Sequence, residues 1–247
     1  MCGRYATSRS AADLAALFDA DDDTDDALTA AYNVAPTDPV PMVRRSASRG
    51  GRVLSVARWG LVPPWVRDPR QGARMINARA ETVAVSRAYG PSFARRRCLV
   101  PADGWYEWRR REDASGPAAP TPRAARGRQA YFMTPADGAV LAFAGLWSVW
   151  GDGDDRLLTT SVVTMPALGP LAEVHDRMPL VLPPQRWRVW LDGSVPPEDL
   201  LAPPPPEFLD GIEIRPVGPA VGDVRNDGPD LVRPIPAVTE AVELTLF

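Results

Sequence analysis

The sequence predicts an α+β protein, a single domain of mostly antiparallel strands in a curved, barrel-like sheet arrangement with short flanking helices. Three observations predict it. Proline supplies 28 of the 247 residues, about twice the ~5% of an average chain, which favours short strands and ordered loops over a helical bundle. The apolar runs are short and bounded by Pro and Gly, and they are not separated regularly by the long helices that a parallel sheet needs. The length and a 45% hydrophobic content suffice for one large domain with a sizeable core.

In chain order, the first element is a helix at Ser10–Phe18. Leu14, Leu17 and Phe18 form its apolar stripe and Ser10 is positioned to cap it. The aspartate run from Asp19 to Asp26 is expected to be a loop. Strands are then expected at Val40–Val43, Val53–Leu61, Arg97–Val100, Ala130–Met133, Val140–Trp147, Leu157–Thr164 and Pro179–Leu182. Helical turns are expected near Glu81–Ala88 and at Pro184–Leu191, where Trp187, Trp190 and Leu191 share a face. Residues 113–128 lack hydrophobic periodicity and read as an insertion, and Pro203–Pro206 is a stop.

No segment approaches the roughly 18 to 20 consecutive apolar residues of a membrane span, and the first thirty residues lack the apolar core of a signal peptide. The expectation is a soluble, cytoplasmic protein, with no membrane partner. Two cysteines, Cys2 and Cys98, and one histidine, His175, cannot build a cysteine/histidine zinc site; neither metal nor cofactor is expected. The net charge of -3 hides an asymmetry, because residues 44–128 hold nineteen arginines against six acids. That stretch is either a solvated surface or a face for a polyanion. Every basic residue is arginine, so the N-terminal amine is the one amine able to form an imine.

No phosphate-binding Walker loop, dinucleotide fingerprint or nucleophile elbow occurs. Polar catalytic residue types instead cluster with Gly, Pro and Trp in six islands: MCGRYA at 1–6, YNVAPT at 32–37, RWGLVPPW at 58–65, INARAET at 76–82, RCLVPADGWYEW at 97–108 and VHDRMPLVL at 174–182. Once Met1 is removed, Cys2 carries a thiol and an α-amine on adjacent carbons. Their ordinary pKa values of about 8.5 and 7.7–8.0 make both partly available near neutrality. Such a 1,2-aminothiol condenses with an aldehyde to a thiazolidine. His175 is a natural proton shuttle at neutral pH. Glu107, in an aromatic and apolar setting, suits a general acid. Taken singly, each also fits a structural role: a buried cysteine, a satisfied histidine, a salt-bridged glutamate, and for Asn77 a turn-capping amide.

Together the islands resemble the SOS response-associated peptidase (SRAP) family, abasic-site processing proteins that cross-link to single-stranded DNA. The resemblance also takes in FAGLW and VGDVRN and covers residues 1 to about 233, leaving 234–247 as a tail of unknown role. It implies that Cys2, Asn77, Glu107 and His175 occupy active-site positions. In that scheme Cys2 forms a thiazolidine with the ring-opened aldehyde of an abasic site. Glu107 serves proton transfer in sugar ring opening and imine formation, His175 acts at the deoxyribose oxygen, and Asn77 holds the reacting groups. Removal of Met1 by autoproteolysis would use the same cysteine, and the resemblance implies hydrolase-type and lyase-type activity.

The resemblance further implies phosphate contacts from Arg4, Arg79 and Arg87, a strand-wedging surface at Asn33, Pro36 and Trp65, and Thr164 lining the pocket. Val66 stands where some relatives carry a second tryptophan, which would weaken the wedge. The partner implied is single-stranded DNA containing abasic sites, bound by a monomer that associates with the nucleoid when on DNA. Two other classes fit the same residues: an N-terminal-cysteine hydrolase acting on peptides or amides, and a non-covalent single-stranded DNA-binding module.

Overall fold

The computed structural model describes residues 2–46, 50–110 and 128–235. The chain runs β1 (Tyr5–Thr7), α1 (Ala11–Phe18), β2 (Ala20–Asp23), β3 (Ala31–Val34), β4 (Pro39–Arg45), β5 (Arg52–Trp59), β6 (Asn77–Arg79), α2 (Gly90–Arg95), β7 (Arg97–Ala102) and β8 (Gly104–Arg110). It continues through β9 (Arg128–Pro135), β10 (Leu141–Trp150), β11 (Leu157–Pro166), β12 (Arg177–Pro179), α3 (Pro184–Asp192), the single turns α4 (Pro197–Leu200) and α5 (Pro206–Leu209), and β13 (Ile212–Val217). Short 3-10 turns fill several connections.

Five strands close a barrel. β4, β5, β11, β10 and β7 each pair with the next, and β7 pairs back to β4. Four of these pairings are antiparallel; the closing one, β5 with β11, is parallel and short, joining Arg58 and Trp59 to Thr159 and Thr160. The alternating small and large apolar residues of these strands put Met42, Leu54, Leu99, Phe143 and Val162 in a single core. A second, five-stranded antiparallel sheet runs β13-β9-β8-β1-β3. Its two faces meet different partners. Tyr5, Trp105 and Met133 pack into the main core, whereas Ala6, Tyr106 and Phe132 pack under Val217, Val221 and Leu231.

α1 forms as its sequence predicts. The Ser10 Oγ accepts the Asp13 N–H at 3.1 Å, Leu14 and Phe18 are buried one turn apart, and the helix stops at Asp19 in the left-handed region. The aspartate run departs from expectation: Ala20–Asp23 is not loop but an edge strand, parallel to β5. An edge leaves carboxylates in water, and their charge discourages further pairing. Glu81–Ala88 forms turns, and the helix begins only at Gly90. The strand expected at Pro179–Leu182 ends its ladder with β11 at Pro179, after which Val181 makes one bridge to Phe143. The insertion at 113–128 lies outside the described residues except for Arg128, which opens β9, and so does the tail beyond Ile235.

Candidate active site

Cys2, Asn77, Glu107 and His175 come from four separate stretches of the chain and meet beside β1. Cys2 precedes β1 and is fully buried. The antiparallel register that places Tyr5 opposite Trp105 continues past the strand, because the Tyr106 N–H donates to the Arg4 carbonyl at 3.0 Å. Residues 2–4 are thereby laid along β8. Glu107 follows Trp105 by two residues, so its side chain shares the core-facing side of the sheet, and it is 4% exposed.

Asn77 opens β6, which lies parallel to β11 with Asn77 opposite Val162 and Arg79 opposite Thr164. Its Nδ2 donates to the Cys2 carbonyl at 2.6 Å, and the Tyr89 hydroxyl donates to the Asn77 carbonyl at 2.9 Å. The Asn77 Oδ1 is buried with no hydrogen-bond partner among the described residues. An acceptor is thus left available beside residue 2.

His175 sits between a 3-10 turn and β12, with Nε2 3.9 Å from the Glu107 Oε2. The Arg177 N–H donates to the His175 Nδ1 at 2.9 Å, which puts the proton of a neutral imidazole on Nε2, facing Glu107. Asp176 Oδ1 also lies 2.8 Å from Nδ1. Nδ1 cannot both accept from the Arg177 N–H and donate a proton to a carboxylate, and the backbone donor takes precedence because the Asp176 carboxylate is 84% exposed and free to swing into water.

Burial sets the protonation states. It pushes the Cys2 thiol far above its ordinary range, with the Glu107 carboxylate adding to the effect. It raises the Glu107 carboxyl to about 7, and it lowers His175 below its usual value. At neutral pH the site therefore holds a neutral thiol, a carboxyl divided between acid and base forms, and a neutral imidazole.

The residues expected to meet DNA divide into two groups. Trp65 is 51% exposed, Arg79 and Arg87 are exposed, and Pro36 is half-buried. Asn33 and Thr164 are not at the surface. Asn33, 5% exposed, spends its side chain on Arg4 and on the carbonyls of Asp223 and Asn226. Thr164, 1% exposed, is enclosed by Ala78 and Arg177. Both side chains stand behind the surface: Asn33 braces Arg4 and the loop at Asp223 and Asn226, and Thr164 lies between β6 and Arg177. Arg4 is half-committed too, donating to Asn33 and, at 2.9 Å, to the Val221 carbonyl.

Tyr89 and Arg177 belong to the site and were not singled out by sequence reasoning. Arg177 orients His175 through its backbone while its guanidinium pairs with Glu81 and donates to the Thr164 carbonyl at 2.7 Å. Its place two residues after the lone histidine, in a three-residue strand, is the one local signal. Among the described residues no group of three or more His, Cys, Asp or Glu is placed to hold a metal, and no helix is long and apolar enough to cross a membrane.

Comparison with known proteins bears on the whole chain. A crystal structure of a protein from Bacteroides thetaiotaomicron superposes with a TM-score of 0.75 over 95% of this chain and all of that one, at 22% identity, and so shares the fold. The abasic site processing protein YedK of Escherichia coli (strain K12) is 30% identical, covering 95% of this chain and 100% of its own length. The abasic site processing protein HMCES of Xenopus tropicalis is 31% identical over 87% of this chain and 69% of its own. The family model for the SOS response associated peptidase (SRAP) matches residues 1–224, and the chain belongs to that family.

Proposed function

We propose that this protein, after loss of Met1, attaches itself through Cys2 to abasic sites in single-stranded DNA as a thiazolidine. The observation that carries the reading is the convergence of a half-buried amide, a buried carboxyl and a half-buried imidazole around residue 2, from positions 75 to 173 residues away in the sequence. Relatives matching 94–95% of the chain bear the name abasic site processing protein, which supplies the substrate class.

Each side chain then has a defined task. Protonated Glu107 gives its proton to the ring oxygen, which the His175 Nε2–H also contacts, while the C1' hydroxyl loses its own proton to water and the sugar opens to its C1' aldehyde; the Glu107 carboxylate then takes a proton from the adding amine and returns it to the hydroxyl that leaves as water. The Cys2 amine adds to C1' and, with that water gone, leaves an imine. Sγ closes on the same carbon while the thiol proton is passed to the nitrogen, directly or through a carboxylate or imidazole. The high thiol pKa makes that last transfer depend on a neighbouring base, and Glu107 and His175 are the groups at hand. Asn77 holds the Cys2 carbonyl and so fixes the direction of the amine. The same cysteine and acid/base pair suit autoproteolytic release of Met1. Residues 1–233 form the working domain, acting as a monomer.

Denaturing electrophoresis of the purified, Met1-free protein with single-stranded oligonucleotides tests this reading. A band of protein joined to abasic DNA and absent with intact DNA is expected. A purely hydrolytic or non-covalent protein leaves the DNA unshifted.

A further inference from the structure

Two of the four residues around Cys2 ride on very short strands. β6 and β12 are three residues long and flank β11 on opposite edges. The Val163 carbonyl accepts the Leu180 N–H at 2.8 Å on one side, and the next carbonyl along, Thr164, accepts the Ala80 N–H at 2.8 Å on the other. Asn77 opens β6, and His175 stands two residues before β12. How far apart they sit depends on keeping two fragments of strand in register with a third.

One side chain spans the three strands. Arg177, the first residue of β12, reaches over β11 and places Nη2 on the Thr164 carbonyl at 2.7 Å, the same oxygen that the Ala80 N–H uses. The guanidinium then meets the carboxylate of Glu81, just beyond β6, through Nη1 to Oε1 and through Nη2 to Oε2 at 3.0 Å. A forked pair of this kind fixes direction as well as distance. The Arg177 side chain is 14% exposed, and its hydrogen bonds hold the Glu81 carboxyl below the ordinary range, so the pair is ionised at neutrality.

The backbone of the same arginine decides where the imidazole proton lies. The Arg177 N–H donates to His175 Nδ1, which favours the tautomer protonated at Nε2. The Asp176 carboxylate, 2.8 Å from the same nitrogen, favours the other tautomer, in which Nδ1 donates. Only the first turns a donor toward Glu107.

We infer that Glu81 is a positioning residue for this site: by gripping Arg177 across β11 it keeps the Arg177 N–H on His175 and so keeps the imidazole proton on Nε2. The rate effect that follows rests on the proposed covalent chemistry, whereas the tautomer is a property of the free protein.

His175 is the one histidine in the chain, so isotope labelling of histidine ring nitrogens in the full, Met1-free protein gives NMR signals that belong to it alone. At neutral pH the parent is expected to show Nδ1 as an acceptor and Nε2 protonated. In Glu81→Ala the proton is expected to move in large part to Nδ1, where Asp176 receives it. Attachment to abasic oligonucleotide is expected to slow about tenfold to a hundredfold, short of the ~10²- to 10⁴-fold of a whole acid/base group because part of the population keeps the working tautomer. Glu81→Gln keeps the shape and an acceptor oxygen but not the charge, and is expected to act in the same direction, by about threefold. Affinity for an intact strand is expected not to fall, since loss of a carboxylate cannot weaken attraction to phosphate; a slower reaction is then not a lost encounter. The parent tautomer retained in both variants overturns the inference whatever the rates, and so does the parent rate with a displaced tautomer. If Glu81→Ala does not fold, Glu81→Gln alone decides. A displaced tautomer in a protein whose parent gives no adduct removes the covalent chemistry and keeps the positioning of His175; attachment by the parent with the tautomer unmoved in the variants does the reverse.

Discussion

At residue 2 two nucleophiles share one aldehyde carbon, and substitution can separate them. Cys2→Ser keeps the α-amine but exchanges the thiol for a hydroxyl that rarely closes the ring. Little adduct should survive heating, yet borohydride should trap an imine. No lysine exists to give a background imine, so mass spectrometry of the trapped product should place it at residue 2; a normal heat-stable yield would refute the thiazolidine. Glu107 makes a second prediction, through pH. Its folded-state pKa of about 7 stands above the ordinary carboxyl value because of burial. The folded protein therefore binds more protons than the unfolded chain between about pH 4.5 and 7, and stability falls as pH rises through that window. In Glu107→Gln this part of the pH dependence should vanish from thermal melts, and adduct formation should slow by about 10²- to 10⁴-fold. The residue types of this site were legible from their islands. Tyr89 was not, because it acts by holding the Asn77 carbonyl from twelve residues away, a contact that no local pattern encodes.

Among the elements, β8 does two jobs, which is why its strand was hard to read. Trp105 and Glu107 face the main core while Tyr106 packs against Phe132 in the second cluster. With apolar residues on both faces the run GWYEW loses the alternation that marks a half-buried strand. β1 and β6 were hidden for another reason: at three residues each they show no period at all. The barrel strands were legible because each is longer and bounded by Pro or Gly. Gly104 starts β8 under a tight constraint, since a Cβ there would stand 2.3 Å from the Met133 carbonyl oxygen. Gly104→Ala must push β9 away from β8 or tilt the start of the strand. We expect about 1–3 kcal/mol of destabilisation in denaturant unfolding. Slower cross-linking should accompany it, as Glu107 lies three residues downstream; unchanged stability would mean that the two strands separate freely.

Over the whole molecule, the arginine-rich middle third of the sequence proves to have several uses. Arg97 is buried, with Nε on the Trp190 carbonyl at 2.6 Å, and serves the core. Arg79 and Arg87 remain exposed. Net charge along a chain cannot distinguish these uses, because side-chain direction is decided only when strands pair. Single-strand binding by Arg79→Ala and Arg87→Ala should each flatten the salt slope by about 0.7. Arg4→Ala should also lower the melting temperature, since its guanidinium holds Asn33 and the Val221 carbonyl. Unchanged slopes in the Arg79 and Arg87 variants would put the DNA on another face.

β1 is paired on both sides, to β3 and to β8, and this sets an order in time. Synthesis proceeds from residue 1, but the second wall of β1 does not exist until residue 110 has left the ribosome, and His175 comes later still. Throughout that interval residue 2 stands in water. A bare aminothiol there would meet whatever small aldehydes the cell contains and be spent before it had a pocket. If Met1 stays in place until the sheet closes, the methionine acts as a protecting group, and folding releases the reagent only where its target geometry is already built.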